Sequence, residues 1–269
     1  MINRSAPRLD YINLTWATEL MRFHQEEMQE IIHELKEEKT QIRCYMLAEE
    51  YKNLGLFNYA LGYSLDKVRL YFTEAVSAYI ENLSLREERK DKENTHGAAS
   101  EYFDYSIGNS KSSLLMLYIA LIVNNFSAAR HIAELIWDPP NADYIGNDSE
   151  ICTPNEQRVA YTVKYILLDN KQEASTLLSK IDLNDHLECQ VNILNSLINE
   201  NEKDFVDKLN KLVLFHEKWA SEIDSRKVPD SFLNIPGLGI CAYAISKHIV
   251  SSENISISDI HLPLNILFP

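Results

Sequence analysis

The sequence predicts an all-α protein: a helical bundle followed by stacked antiparallel helical hairpins, repeat-like but irregular. Three observations carry this expectation. Gly is scarce at 7 and Pro at 8 among 269 residues, too few for the many tight turns of an all-β chain. Leu, Ile, Glu, Lys and Ala dominate long stretches and favour helix. Apolar positions recur at helical spacing, and in the second half a turn-centred pattern repeats. With 45% hydrophobic and 25% charged residues, the composition is that of an ordinary globular protein with ample core material.

Taken in order, the first helix is expected over Thr15–Glu38, where Met28, Ile31, Ile32 and Leu35 fall on one face opposite an acidic one. A second is expected over Thr40–Leu54, stopping at Gly55. Ser64 reads as the N-cap of a third, with Asp66 in its first turn and a buried stripe of Val68, Phe72, Ala75, Val76, Tyr79 and Leu83. The run REERKDKENTHG, Arg86–Gly97, has no apolar residue and reads as an exposed connection. It divides an N-terminal bundle (1–97) from a helical-hairpin region (98–269), either as a domain seam or as a loop within one continuous fold. Beyond it, IALIVNNFSAARHIAELI (119–136), KYILLDNKQEASTLLSKI (164–181) and NSLINENEKDFVDKLNKL (195–212) superpose without gaps. Each is expected to be a hairpin turning at Asn125, Asn170 or Asn201, since Asn caps helices and tolerates left-handed backbone. Buried anchors Ala129, Ala174 and Phe205 follow four residues later. The last element, SFLNIPGLGICAYAISKH (231–248), carries no charge from Ser231 to Ser246. It lacks the further glycines, strand and Lys-Ser/Thr of a phosphate loop, and it is too short for a membrane anchor. It is expected to be a central packing helix, with Pro236 in the first turn and Gly237, Gly239, Ala242 and Ala244 admitting a close neighbour.

Charge narrows the partners. Forty acidic against 26 basic residues give a net −14, which disfavours direct contact with nucleic acid or an anionic membrane. A basic protein partner suits this field, as does simple solubility. Cys44, Cys152, Cys189 and Cys241 form no C-x-x-C pair, so no zinc ribbon or redox motif is expected. The segment MINRSAPRLDYINLTW lacks the apolar core of a secretory signal, and the longest apolar run, Leu114–Val123, is half a span, so a cytoplasmic location is expected.

Catalytic constellations are not evident. Glu30-x-x-His33 is half of a di-metal motif without its second copy, and is expected to be a solvated helix face. His186 and Cys189 read as a half-buried packing pair. No nucleophile elbow occurs, and no close Arg–His pair suggests a ribonuclease. The expectation is therefore a non-enzyme with no cofactor and no metal. Two segments offer recognition chemistry, aromatic rings beside carboxylates: Glu101, Tyr102, Asp104 and Tyr105, and Asp143, Tyr144, Asp148 and Glu150 in the loop 138–152. The same residues equally suit amphipathic core edges and a plain connector.

FLNIPGLGICAYAISKH and, after a spacer, ISDIHLPLNILF resemble the tail of bacterial immunity proteins from polymorphic toxin systems, most closely the immunity protein 49 family. The matching residues are Pro236, Gly237, Leu238, Gly239, Ala242, Ala244, Leu262, Pro263 and Leu267. CTPNEQRVAYTVKYILLDNKQEA (152–174) fits the family's helical middle more loosely, and the immunity family acting on PoNe-type DNase toxins is a near neighbour. One position departs: where such tails often place Gly after the basic end of the helix, this chain has His248-Ile249. The resemblance implies an all-α cytoplasmic inhibitor that neutralises a cognate toxin by blocking its active site or substrate groove, with the eight acidic and aromatic residues above as toxin contacts. A basic, nuclease-like toxin fits the charge. The alternative, from the hairpins, is a helical-repeat scaffold or adaptor that binds peptides or proteins.

Overall fold

The structure, a computed structural model, describes residues 9, 12–96, 110–136, 153–183, 185–222, 227–257 and 260–268. The protein is all-α, and no β-strand occurs among the described residues. Helix α1 (Leu14–Glu37) starts at Asn13, whose side chain accepts the Trp16 N–H at 3.1 Å. It buries Ala17, Met21, Met28 and Ile31, while Glu30 and His33 stand in solvent as expected of a charged face.

Helix α2 (Gln41–Ala60) begins at its N-cap Thr40 and runs through Gly55 rather than stopping there. A Cβ on Gly55 would stand 2.6 Å from the Phe72 ring, so this glycine is a notch that lets the next helix press close. The chain turns instead at Gly62, φ 77°. There the Tyr63 N–H reaches back to the Asn58 carbonyl at 2.9 Å, closing a Schellman motif.

Helix α3 (Leu65–His96) follows Ser64, whose hydroxyl accepts the Asp66 N–H at 3.2 Å. The expected stripe from Val68 to Leu83 is buried throughout. The exposed connection expected from Arg86 is helix through His96 instead. Its Glu, Lys and Arg residues favour helix whatever their polarity. Arg86 is also buried, pairs with Glu87 at 3.0 Å and donates to the Leu135 carbonyl.

The three hairpins are α4 (Ser110–Ile122) with α5 (Phe126–Leu135), α6 (Pro154–Leu167) with α7 (Lys171–Leu178), and α8 (Asp185–Ile198) with α9 (Glu202–Ser221). Asn125, Asn170 and Asn201 each cap the second helix, accepting the N–H groups of Ala128, Glu173 and Asp204 at 3.1, 3.2 and 3.0 Å. The left-handed residue is one position earlier: Asn124 at φ 61°, Asp169 at 59° and Glu200 at 53°. Each closes a Schellman motif in which the capping Asn donates its own N–H to Ala120, Tyr165 or Ser196. Ala129, Ala174 and Phe205 are fully buried.

Helix α10 (Ile235–Ser246) is the uncharged stretch, capped by Asn234, packed against α4 and buried from Gly237 to Ala244. Crossing is close enough that a Cβ on Gly239 would lie 2.7 Å from Tyr118 Cβ and 2.9 Å from its Cα. Neighbouring side chains also cover the exposed carbonyls that end several helices. Arg69 donates to Ile122 and Val123 at the end of α4, Lys164 to Ile136 beyond α5 at 2.5 Å, and Tyr243 to Ile166 in α6 at 3.0 Å. Cations and hydroxyl donors suit the negative end of a helix dipole, which explains a lysine as buried as Lys164. Buried side chains on either side of residue 97 contribute to one hydrophobic cluster. Cys44, Cys189 and Cys241 are unbridged thiols.

Candidate functional site

Helix α2 turns Tyr45, Glu49 and Lys52 to one side, because residues four and three apart share a helix face. That side meets Ser112 and Tyr118 of α4, Glu156 and Val159 of α6, Leu187 and Gln190 of α8, and Phe215, His216 and Trp219 of α9. The turn Pro229–Ser231 brings Asp230, and the start of α10 brings Asn234 and Ile235. Together they enclose a cleft of ≈ 420 Å³, within the ~300–1,000 Å³ typical of sites that hold small ligands or side chains.

Its charged groups are ordered. Lys52 is 5% exposed, and its ammonium lies 2.8 Å from Glu49 Oε2 and 3.4 Å from Asp230 Oδ1. Burial opposes its charge, but Glu49 and then Asp230 outweigh that, holding its pKa above the ordinary lysine range. At another part of the wall Lys111 meets Glu156 at 3.0 Å. Burial pushes Glu156 up, and the Thr153 N–H and Lys111 outweigh it, leaving the carboxyl below its usual range. Glu156 also completes the capping box of α6 with Thr153.

His216 is a neutral imidazole. Burial, then its neighbour His261, lowers its pKa to about 4 against a partial opposing effect of the Ser231 carbonyl. A carbonyl only accepts, so Nε2 carries the proton and donates to Ser231 at 3.0 Å. Trp219 stands edge-on to this ring with centroids 5.5 Å apart. The buried Tyr118 hydroxyl has no hydrogen-bond partner among the described residues. Chemically the cleft offers aromatic and aliphatic walls and a few fixed carboxylates. That is equipment for holding a side chain or short segment.

The residues expected from the sequence to form a contact surface, Glu101, Tyr102, Asp104, Tyr105, Asp143, Tyr144, Asp148 and Glu150, lie outside the described residues. Sequence reasoning missed the cleft residues. One available signal was Lys52 in an otherwise uncharged stretch of α2 running to Ala60, a cation that burial would force to find carboxylates. Among the described residues, no group of three or more His, Cys, Asp or Glu is placed to hold a metal ion, and no helix is long and apolar enough to cross a membrane. Comparison of the chain with protein-family models, with curated proteins and with solved structures finds no match.

Proposed function

We propose that this protein is a non-enzymatic helical-repeat scaffold that holds a segment of a partner protein in the cleft bounded by α2, α4 and α9. In this reading α1–α3 form a bundle and the three hairpins stack behind it as an irregular array, with α10 as the central strut. The observation that carries it is the ≈ 420 Å³ cleft itself, lined by Trp219, Phe215 and Tyr45 among others. Aromatic rings contribute large contact area at small entropic cost and dominate binding hot spots. The titratable wall groups are engaged in structure: Lys52 and Glu156 in ion pairs, His216 on a carbonyl. They are suited to fixing orientation rather than to exchanging protons with a substrate.

Ser112, half-buried on the wall, gives the test. Ser112→Trp should fill the cleft and abolish capture of peptides selected for binding to the wild-type chain, while far-ultraviolet circular dichroism and Tm stay close to wild type. Unchanged capture would place binding elsewhere on the molecule.

The net charge of −14 and the tail around Pro236–Gly239 favour a more specific form of this reading. The partner would be a basic toxin, and the chain a cytoplasmic immunity protein that blocks its active site or substrate groove. Co-expression with a toxin encoded beside this gene should rescue growth, and continued killing with both proteins soluble would remove this form while leaving the scaffold reading intact.

A further inference from the structure

The charges in the cleft do not cancel. Lys52 answers two carboxylates, Glu49 and Asp230, and the Lys111–Glu156 pair is balanced in itself. Among the described residues one negative charge is left over, in a wall made largely of Tyr45, Phe215, Trp219 and aliphatic side chains. Low-dielectric surroundings strengthen the pull of such a charge. The local field is already strong enough to keep a buried ammonium protonated at Lys52.

Geometry adds a platform. The Glu49–Lys52–Asp230 chain continues through the backbone of Ser231 to His216, and His216 abuts Trp219. A cation approaching Glu49 and Asp230 therefore enters a cleft lined by aromatic rings, which attract cations at their faces. A long aliphatic stem carrying that cation would cover the apolar wall, as Lys and Arg stems do elsewhere. Overall charge points the same way, since an exterior of net −14 steers a basic partner.

We propose that the cleft takes an arginine or lysine side chain of a partner polypeptide, its charged head on the carboxylate oxygens of Glu49 and Asp230 that are not paired with Lys52, and its stem against Trp219 and Phe215. This rests on the cleft reading above and names what that cleft selects. The planar guanidinium, able to stack on Trp219 while donating to a carboxylate, is the better fit of the two.

Random peptides displayed on phage, selected on the full chain and counter-selected on Ser112→Trp, supply the probes. The cleft-dependent peptides should share a basic anchor. Replacing that anchor by citrulline, which keeps shape and loses charge, should weaken binding by about tenfold or more. Glu49→Gln should do the same. Asp230→Asn serves as a second variant should the first lose its Tm, and the citrulline swap leaves the protein untouched in either case. Cleft-dependent peptides without a basic anchor, or unchanged affinity for citrulline, would overturn the cation assignment and leave the cleft reading standing. Recovering no cleft-dependent peptide would overturn both.

Discussion

His248 follows the end of α10 at φ 57°, a left-handed conformation that favours glycine. A Cβ there costs roughly 1–2 kcal/mol, while glycine's extra freedom in the unfolded chain costs about 0.5–1 kcal/mol. His248 is exposed, so His248→Gly should stabilise the protein by about 0.5–1 kcal/mol. Urea denaturation with an unchanged m-value would show it, and a loss of stability would mean the imidazole holds something. Glu200→Gly relieves the same strain at φ 53° but removes an ion pair to Lys171 in which both side chains are more than half exposed. Such a pair is worth ~0–1 kcal/mol, so its gain should be smaller. The sequence carried a hint of this. Tails that resemble this one often place Gly after the helix, and the departure at His248 falls where the backbone takes the glycine-favouring turn.

At the scale of elements, the crossing of α10 over α4 is set by Gly239, where an added Cβ meets both the side chain and the Cα of Tyr118. Backbone cannot move aside as a side-chain tip can, so Gly239→Ala should cost about 1–3 kcal/mol. Gly237→Ala meets side chains alone, the end of Leu262 at 2.9 Å and the capping Asn234 at 3.0 Å, and should cost less. Thermal unfolding of the two variants side by side decides it, and equal losses would mean that α4 can shift. The residues behind the tail resemblance, Gly237, Gly239 and Leu262 among them, are buried core packers rather than contact residues. The hairpins were legible because Asn caps and buried anchors repeat in one register. Two boundaries were not legible, for physical reasons. Gly55 has the signature of a helix stop, yet its missing side chain serves Phe72 across the interface. The charged run after Leu85 looks solvated, yet Arg86 is anchored on the end of α5 and helix-favouring residues carry α3 onward.

For the whole molecule, the acidic balance could be read directly from composition, and the cleft could not. Its walls are drawn from positions as far apart as Tyr45 and Pro236, spread over several helices and a turn that only packing brings together. The same convergence buries His216, facing His261 at a ring distance of 5.2 Å and near Asp230. This makes stability depend on pH in a way that sequence does not reveal. In the folded protein His216 takes a proton only near pH 4, whereas its ordinary pKa is 6.5. Between those values the unfolded chain binds the extra proton, so stability rises with pH in that window. The contribution is complete above 6.5 and lost as pH falls through 4. Between pH 7 and pH 5 it amounts to about 2 kcal/mol. His216→Phe keeps the aromatic packing on Trp219 but cannot titrate. Loss of the Ser231 hydrogen bond should lower its stability at pH 7, yet between pH 7 and pH 5 it should lose about 2 kcal/mol less than wild type. Urea midpoints for both proteins at the two pH values separate this from the carboxylates, which titrate alike in each. Parallel losses would show that His216 is charged in the fold, and with it that the cleft wall is wetter than its packing indicates.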